Sequence, residues 1–235
     1  MRKYHIISLG LSQSNFLTQL YKEILLRSDR FVFHVNHFFD LSKGNVEYDS
    51  AIFQSYHDFE AASFSKWQYI QSLMSLLLCK TFWVFLWFEV RRGSGLNPLK
   101  QFLFTEIKTK TVITKKILPL QFDVYHFHFC KKNTLRLIHY LPKKSIIVCS
   151  FWGSDLYRNN NKNNHFYVRK ALEKATVVTI QTPEMGKDLF ERYGNFLERK
   201  TYYAQFAIET SIYQLIDEYR DNEIALSTFK KQHNI

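Results

Sequence analysis

Apolar and polar positions alternate in blocks along this chain, and the blocks change character about halfway. Lys3–Leu9 (KYHIISL) is a short apolar run that Gly10 breaks, which predicts a strand. Phe16, Leu20, Ile24 and Leu25 then recur at helical spacing. They predict a helix to about Arg27, capped by Ser14 or Asn15. Phe31–Val35 predicts a second strand and Ala51–Gln54 a third. Two long helical patterns follow, over about Ala61–Arg91 and Pro98–Ile117, with Gly93-Ser94-Gly95 between them. Pro98 suits a helix start, where its missing N–H costs nothing.

From Asp123 the pattern becomes regular. Asp123–Phe129, Ser145–Phe151, Thr176–Gln181 and Lys200–Phe206 read as strands. Asn133–Tyr140, Tyr167–Lys174, Pro183–Tyr193 and about Glu209–Tyr219 read as helices. Asn159–Asn164 is a polar tract and reads as an exposed loop. Strands alternating with helices predict an α/β fold, a parallel sheet covered on both faces. Ligands of such sheets sit beyond the carboxyl ends of the strands. Gly10, His128 and Ser150–Asp155 fall at three of those ends, although they are far apart in sequence.

The composition changes this picture little. With 46% hydrophobic and 17% aromatic residues, the chain of 235 can bury a core and is too apolar for disorder. Cys79, Cys130 and Cys149 are widely spaced in apolar settings, so free buried thiols and a reducing compartment are expected. The apolar run in MRKYHIISLG is too short for a signal-peptide core, which favours a cytoplasmic location.

Charge adds more. Residues 61–150 carry 14 basic and 3 acidic side chains, so the whole excess of +11 lies in the middle of the chain. An anionic partner, phospholipid or nucleic acid, should meet that segment. Within it, Trp67–Arg92 is the most apolar stretch of the sequence. Lys80 near its middle argues against a membrane span. Two readings remain open: a core helix covering the sheet, or an interfacial helix. In the second, Trp67, Trp83, Trp87 and Phe88 sit at a headgroup boundary, backed by Arg91, Arg92, Lys108, Lys110, Lys115 and Lys116. The aromatics cluster in an apolar helix rather than interleaving with basic residues, which disfavours a nucleic-acid module.

Two short motifs carry candidate chemistry. In SFWGSD (Ser150–Asp155), Gly153 permits a backbone that a Cβ would block. Ser154 and Asp155 can cap a helical turn or bind ligand hydroxyls, and Trp152 offers an aromatic platform. The stretch is either a site or a structural corner. If His128 and Asp155 line a pocket, they should be mostly solvated, as polar groups at a sheet edge; if Asp155 only caps a helix, its role is structural. In DVYHFHF, strand geometry puts His126 and His128 on one face and Tyr125, Phe127 and Phe129 on the other. His128 at the strand end is either a candidate acid–base group or a satisfied core histidine. No metal is expected, because no second ligand pair has suitable spacing.

DVYHFHF, SIIVCSFWGSDLYR and KATVVTIQTPEMGKDLFERYG, in this order, resemble the second half of the N-terminal, acceptor-side domain of GT-B glycosyltransferases. The likeness is to the retaining group that builds bacterial surface polysaccharides and lipid-linked sugars. It covers about residues 120–200 well and 1–60 loosely. Trp152 stands where that group has the His of H-G-x-D, and its glycine-rich first turn is reduced to Gly10. The resemblance implies a Rossmann-like domain over residues 1–208, including the basic aromatic helical segment 61–118. Residues 209–235 would form a last helix and polar tail, the start of a linker to a donor domain that this sequence does not contain. The implied activity is transfer of a sugar from a nucleotide-sugar to a membrane-linked glycan at the inner face of the cell membrane, without a cofactor. His128 would be catalytic, and Gly10, Trp152, Gly153, Ser154 and Asp155 would bind the acceptor. Trp83, Trp87, Arg91, Arg92, Lys115 and Lys116 would bind the membrane. A separate donor-domain chain is an implied partner. The alternatives are a non-catalytic half of a split transferase and a basic nucleic-acid-binding module.

Overall fold

The computed structural model describes residues 2–10, 15–36, 49–59, 63–158 and 161–204. The side chains of Asn15, Phe16 and Lys162 fall outside that description. The capping role expected of Ser14 or Asn15, the place of Phe16 and the helix expected at Glu209–Tyr219 also lie outside it.

Among the described residues, seven strands form one parallel sheet. They are β1 (Tyr4–Leu9), β2 (Phe31–Asn36), β3 (Phe53–His57), β4 (Val124–His128), β5 (Ile146–Ser150), β6 (Val177–Ile180) and β7 (Thr201–Tyr203), in the order β3-β2-β1-β4-β5-β6-β7. The fold is α/β and Rossmann-like, as the alternation predicts. β1 lies beside both β2 and β4, so the chain builds outward in one direction to β3 and in the other from β4 to β7. The reversal falls between β1 and β4.

Helices cover the sheet unevenly. α1 (Asn15–Arg27) lays Leu17 and Tyr21 on Phe33, Val35 and Phe53 in a small core. Its buried line is therefore Leu17 and Tyr21, with Leu20, Ile24 and Leu25 only partly enclosed beside it. The opposite sheet face carries the main core. There Ile7, Phe127, Ile147, Cys149 and Val178 pack with Val168 and Leu172 of α7 (Lys162–Lys174). Cys79, Cys130 and Cys149 are all free thiols, the last two buried.

The middle of the chain differs from the expected pair of straight helices. Residues 66–91 form α2 (Lys66–Leu77) and α3 (Lys80–Arg91), which meet at 86°. No glycine or proline marks this break. Cys79 turns extended (φ −95, ψ 113) and starts α3. The Trp83 indole N–H then donates to the Leu77 carbonyl at 2.7 Å, satisfying an oxygen at the end of α2. At its start, α2 has a full capping box between Ser65 and Gln68. α4 (Leu96–Val112) continues as a π-helical turn over Ile113–Ile117 and a 3-10 turn over Leu118–Leu120.

Smaller corrections follow the same logic. β3 begins two residues later than expected, and its register with β2 slips between Phe33 and His34. The helix expected at Asn133–Tyr140 is α5 (Lys132–Leu135) followed by a 3-10 turn over Arg136–Tyr140. α7 starts within the asparagine tract, where the Asn161 side chain accepts from the Asn163 N–H. α6 (Ser154–Tyr157) and α8 (Pro183–Tyr193) are the remaining α-helices among the described residues.

Two buried carboxylates fasten the helical unit to the sheet domain. Glu89 of α3 accepts from Tyr167 Oη at 2.5 Å and Ser94 Oγ at 2.9 Å. Lys132 Nζ lies 3.7 Å from Glu89 and 4.0 Å over the Tyr167 ring. Glu106 of α4 accepts from Tyr140 Oη and pairs with Arg136 Nε at 3.1 Å. Each carboxylate thus meets both a hydroxyl and a cation, as a buried charge requires.

A chain of polar rings crosses β1, β2 and β3. His5 Nδ1 lies 3.0 Å from His34 Nε2, His34 Nδ1 lies 2.8 Å from Ser55 Oγ, and Ser55 Oγ lies 2.8 Å from His57 Nε2. Burial, with His5 and His57 as neighbours, pushes His34 from its ordinary 6.5 down to about 4. The unfolded chain therefore binds the extra proton first as pH falls. This contribution to stability is complete above pH 6.5 and is lost as pH falls towards 4. Urea midpoints measured at intervals across that window should fall with pH, and His34→Phe should flatten the slope.

Candidate functional site

β1 ends at Leu9, and Gly10 turns the chain away with φ +78. A Cβ there would stand 2.5 Å from the His128 carbonyl oxygen and 2.8 Å from Thr134 Cγ2. Only glycine lets the carboxyl ends of β1 and β4 approach this closely. That meeting point is also where the strand order reverses, the place where open α/β sheets hold ligands.

β4 ends at His128. Phe129 then takes a left-handed backbone (φ 53), a strained state for a bulky residue. It therefore leaves the face of Tyr125 and Phe127, where strand alternation would put it, and packs with Trp152 against the small core. The turn aims the Cys130 N–H at Asp155 Oδ2, 2.7 Å away. Asp155 Oδ1 accepts from the N–H groups of Trp152 (2.9 Å) and Leu156 (3.1 Å). Burial raises the carboxyl pKa of Asp155, and these backbone donors pull it back down. Asp155 is fully buried, so it ties the loops after β4 and β5 together rather than facing solvent. That corrects the expectation of a solvated edge.

His128 is also fully enclosed. The Trp152 indole N–H donates to His128 Nδ1 at 3.2 Å, and the two rings stack at 5.7 Å and 24°. Burial and the neighbouring His126 hold His128 well below the ordinary imidazole pKa, so it is neutral. With Nδ1 accepting, the proton must sit on Nε2 and point at Tyr21 Oη, 2.7 Å away. The Tyr21 hydroxyl then donates to His126 Nδ1 at 2.9 Å. His126, lowered to about 4 by burial, is neutral too, and its Nε2–H donates to Ser150 Oγ at 2.7 Å. Ser150 Oγ lies 2.6 Å from Thr179 Oγ1. One-way donation thus runs from Trp152 through His128, Tyr21 and His126 to Ser150.

The structure therefore sorts the sequence candidates into two groups. Gly10, Trp152, Gly153 and Ser154 are partly exposed at the strand ends. His128 and Asp155 lie beneath them and hold them in place. Both ring nitrogens of His128 are engaged, which suits positioning better than the acid–base role expected of it. Gly153 has φ +85 but ample room for a Cβ, 3.8 Å from the Tyr157 ring, so backbone conformation alone demands glycine there. Tyr21, Ser150 and Thr179 were not singled out from the sequence. The available signal was a hydroxyl-bearing aromatic, Tyr21, one turn after Leu17 in a helix that opens beside a strand end.

The expected membrane-binding residues lie apart from this group, on the helical unit. Trp83, Trp87, Arg91, Arg92, Lys115 and Lys116 are all exposed. Phe88 instead turns inward and stacks on Phe166 at 4.0 Å. Among the described residues no cluster of His, Cys, Asp or Glu could hold a metal ion. No known family model matches this chain, and no curated protein matches it either.

Two substitutions test the clamp at the strand ends. Asp155→Ala leaves the Cys130 and Trp152 N–H groups without their acceptor, while Leu156 keeps the Gly153 carbonyl, and should cost about 2 kcal/mol or more. Gly10→Ala adds a clash to an unfavourable backbone and should cost at least about 2 kcal/mol. Chemical denaturation reads both, and a loss under about 1 kcal/mol for either variant would contradict the geometry.

Proposed function

We propose that this domain is the acceptor-side half of a GT-B glycosyltransferase that extends a membrane-linked glycan. The observation that carries the reading is the meeting of Gly10, His128 and Trp152 at the reversal point of the sheet. His128 and Trp152 lie within the ordered motifs on which the resemblance rests, and Gly10 is what stands in place of the group's glycine-rich first turn. The parallel sheet is the architecture such a half requires.

In the reaction, an acceptor hydroxyl oxygen forms a bond to the anomeric carbon of a nucleotide-sugar. The bond from that carbon to the diphosphate breaks, the nucleoside diphosphate leaves, and the hydroxyl gives up its proton. The share of this domain is to hold the acceptor in reach. Stabilising the departing diphosphate belongs to a donor-binding domain. Trp152 is the platform for the acceptor sugar, with Gly10, Gly153 and Ser154 around it. His128 and Tyr21 fix the indole, and Asp155 fixes the loop that carries it. The exposed cations Arg91, Arg92, Lys115 and Lys116 would keep the domain on an anionic membrane at the cytoplasmic face, where a lipid-linked acceptor lies.

Calorimetric titration with saccharides and with a polyprenyl-phosphate-linked sugar tests the assignment. The domain should bind acceptors in preference to nucleotide-sugars. Trp152→Leu should weaken acceptor binding about five- to ten-fold, the loss of one stacking contact, and Trp152→Phe should recover most of it. Tighter binding of nucleotide-sugar than of any acceptor, or equal acceptor affinity for Trp152→Leu, would overturn the reading.

A further inference from the structure

The outward faces of α2 and α3 have the wrong polarity for water. Trp67, Ile70, Met74 and Leu78 follow one another at helical spacing along α2 and its end, and all are exposed, Leu78 at 90%. Trp83 and Trp87 extend the line along α3, at 50% and 65% exposure. A surface helix normally turns such a stripe towards the core. Here the core-facing positions are filled by a second set, including Leu76, Phe82 and Phe85. Both sides of the elbow are therefore apolar, and exposed apolar patches of this kind mark interaction surfaces.

We infer that the α2–α3 elbow inserts shallowly into the headgroup boundary of an anionic phospholipid bilayer, with Leu78 at its tip. This rests on the membrane-facing part of the proposed function and adds to it an apolar anchor beside the cations. Charge selects the occupant. Residues 66–120 include two acidic residues, Glu89 and Glu106, and both are buried. The exposed charges around the elbow are all basic: Lys66, Lys80, Arg91, Arg92, Lys115 and Lys116. A surface that is apolar at its crest, basic at its margin and free of exposed carboxylates matches an anionic bilayer interface.

The backbone of the elbow fits the same occupant. Leaving water requires polar groups to be satisfied internally. The Leu77 carbonyl accepts from the Trp83 indole, the Cys79 N–H donates to Leu76, and the Cys79 carbonyl accepts from Phe82. The bend also sets the depth. No helix among the described residues is long and apolar enough to cross a bilayer, and two helices meeting at 86° present a corner rather than a rod.

The full chain should be mixed with phosphatidylglycerol-containing vesicles and with pure phosphatidylcholine vesicles. Lipids brominated near the headgroup or near the chain end should be included in each. Binding to the anionic vesicles is expected, with part of it surviving high salt. Tryptophan fluorescence should be quenched by the shallow bromines and little by the deep ones. Leu78→Glu should cut vesicle affinity at least ten-fold with an unchanged melting temperature, because Leu78 is exposed. Salt-labile binding without quenching, unaffected by Leu78→Glu, would mean adsorption by charge alone; it would overturn the insertion and leave the membrane-facing reading standing. Absence of binding to either vesicle would remove both. A dimer that Leu78→Glu converts to monomer, with no vesicle binding, would make the crest a protein interface and overturn the inference.

Discussion

A single buried carboxylate organises the strand ends. Asp155 gathers N–H groups from the loop after β4 and the loop after β5, and so joins the two loops directly. With those loops joined, Trp152 is delivered onto His128 and the strained Phe129 turn is held closed. Gly10 completes the arrangement by letting β1 reach the His128 carbonyl. Stabilisation and placement are the same interaction here, and the residue that joins the two loops is itself fully buried.

The helical unit obeys a different constraint. Its two acidic residues are drawn inward to Tyr167, Tyr140, Arg136 and Lys132. Burying a charge costs several kcal/mol unless hydroxyls and cations meet it, and both carboxylates are met. One result is mechanical, since each of α3 and α4 is tethered at a defined point to the sheet domain. The other is electrostatic. Negative charge is withdrawn from the outer surface, leaving the cations of the middle segment unopposed.

Much of the sheet was legible because strand blocks, turn residues and helix starts announce themselves. The helix expected at Pro183–Tyr193 is α8 to the residue. The clustering of Gly10, His128 and Trp152 at one edge followed from parallel topology alone. The elbow was not legible, because the apolar periodicity runs through Leu77, Leu78 and Cys79 without a glycine or proline. Its break carries a side-chain-to-backbone bond that periodicity does not reveal, the Trp83 indole on the Leu77 carbonyl. The enclosure of His128 was hidden for a related reason. A terminal strand position implies exposure only if nothing folds over it, and Trp152 with Tyr21 from α1 does so. Phe129 left its expected face because strand alternation stops where the strand stops.

The line of donation from Trp152 to Ser150 has a direction, and direction makes it cooperative. Each neutral imidazole offers one donor and one acceptor, so fixing His128 fixes the rotation of the Tyr21 hydroxyl, and that in turn fixes His126. No member can reverse without the next reversing too. Deleting one link therefore releases the members that follow it along the line, and the energetic effects of two deletions should be far from independent. A substitution at Tyr21, in the helix on one side of the sheet, would then be felt as altered order in the Ser150 hydroxyl at the end of β5.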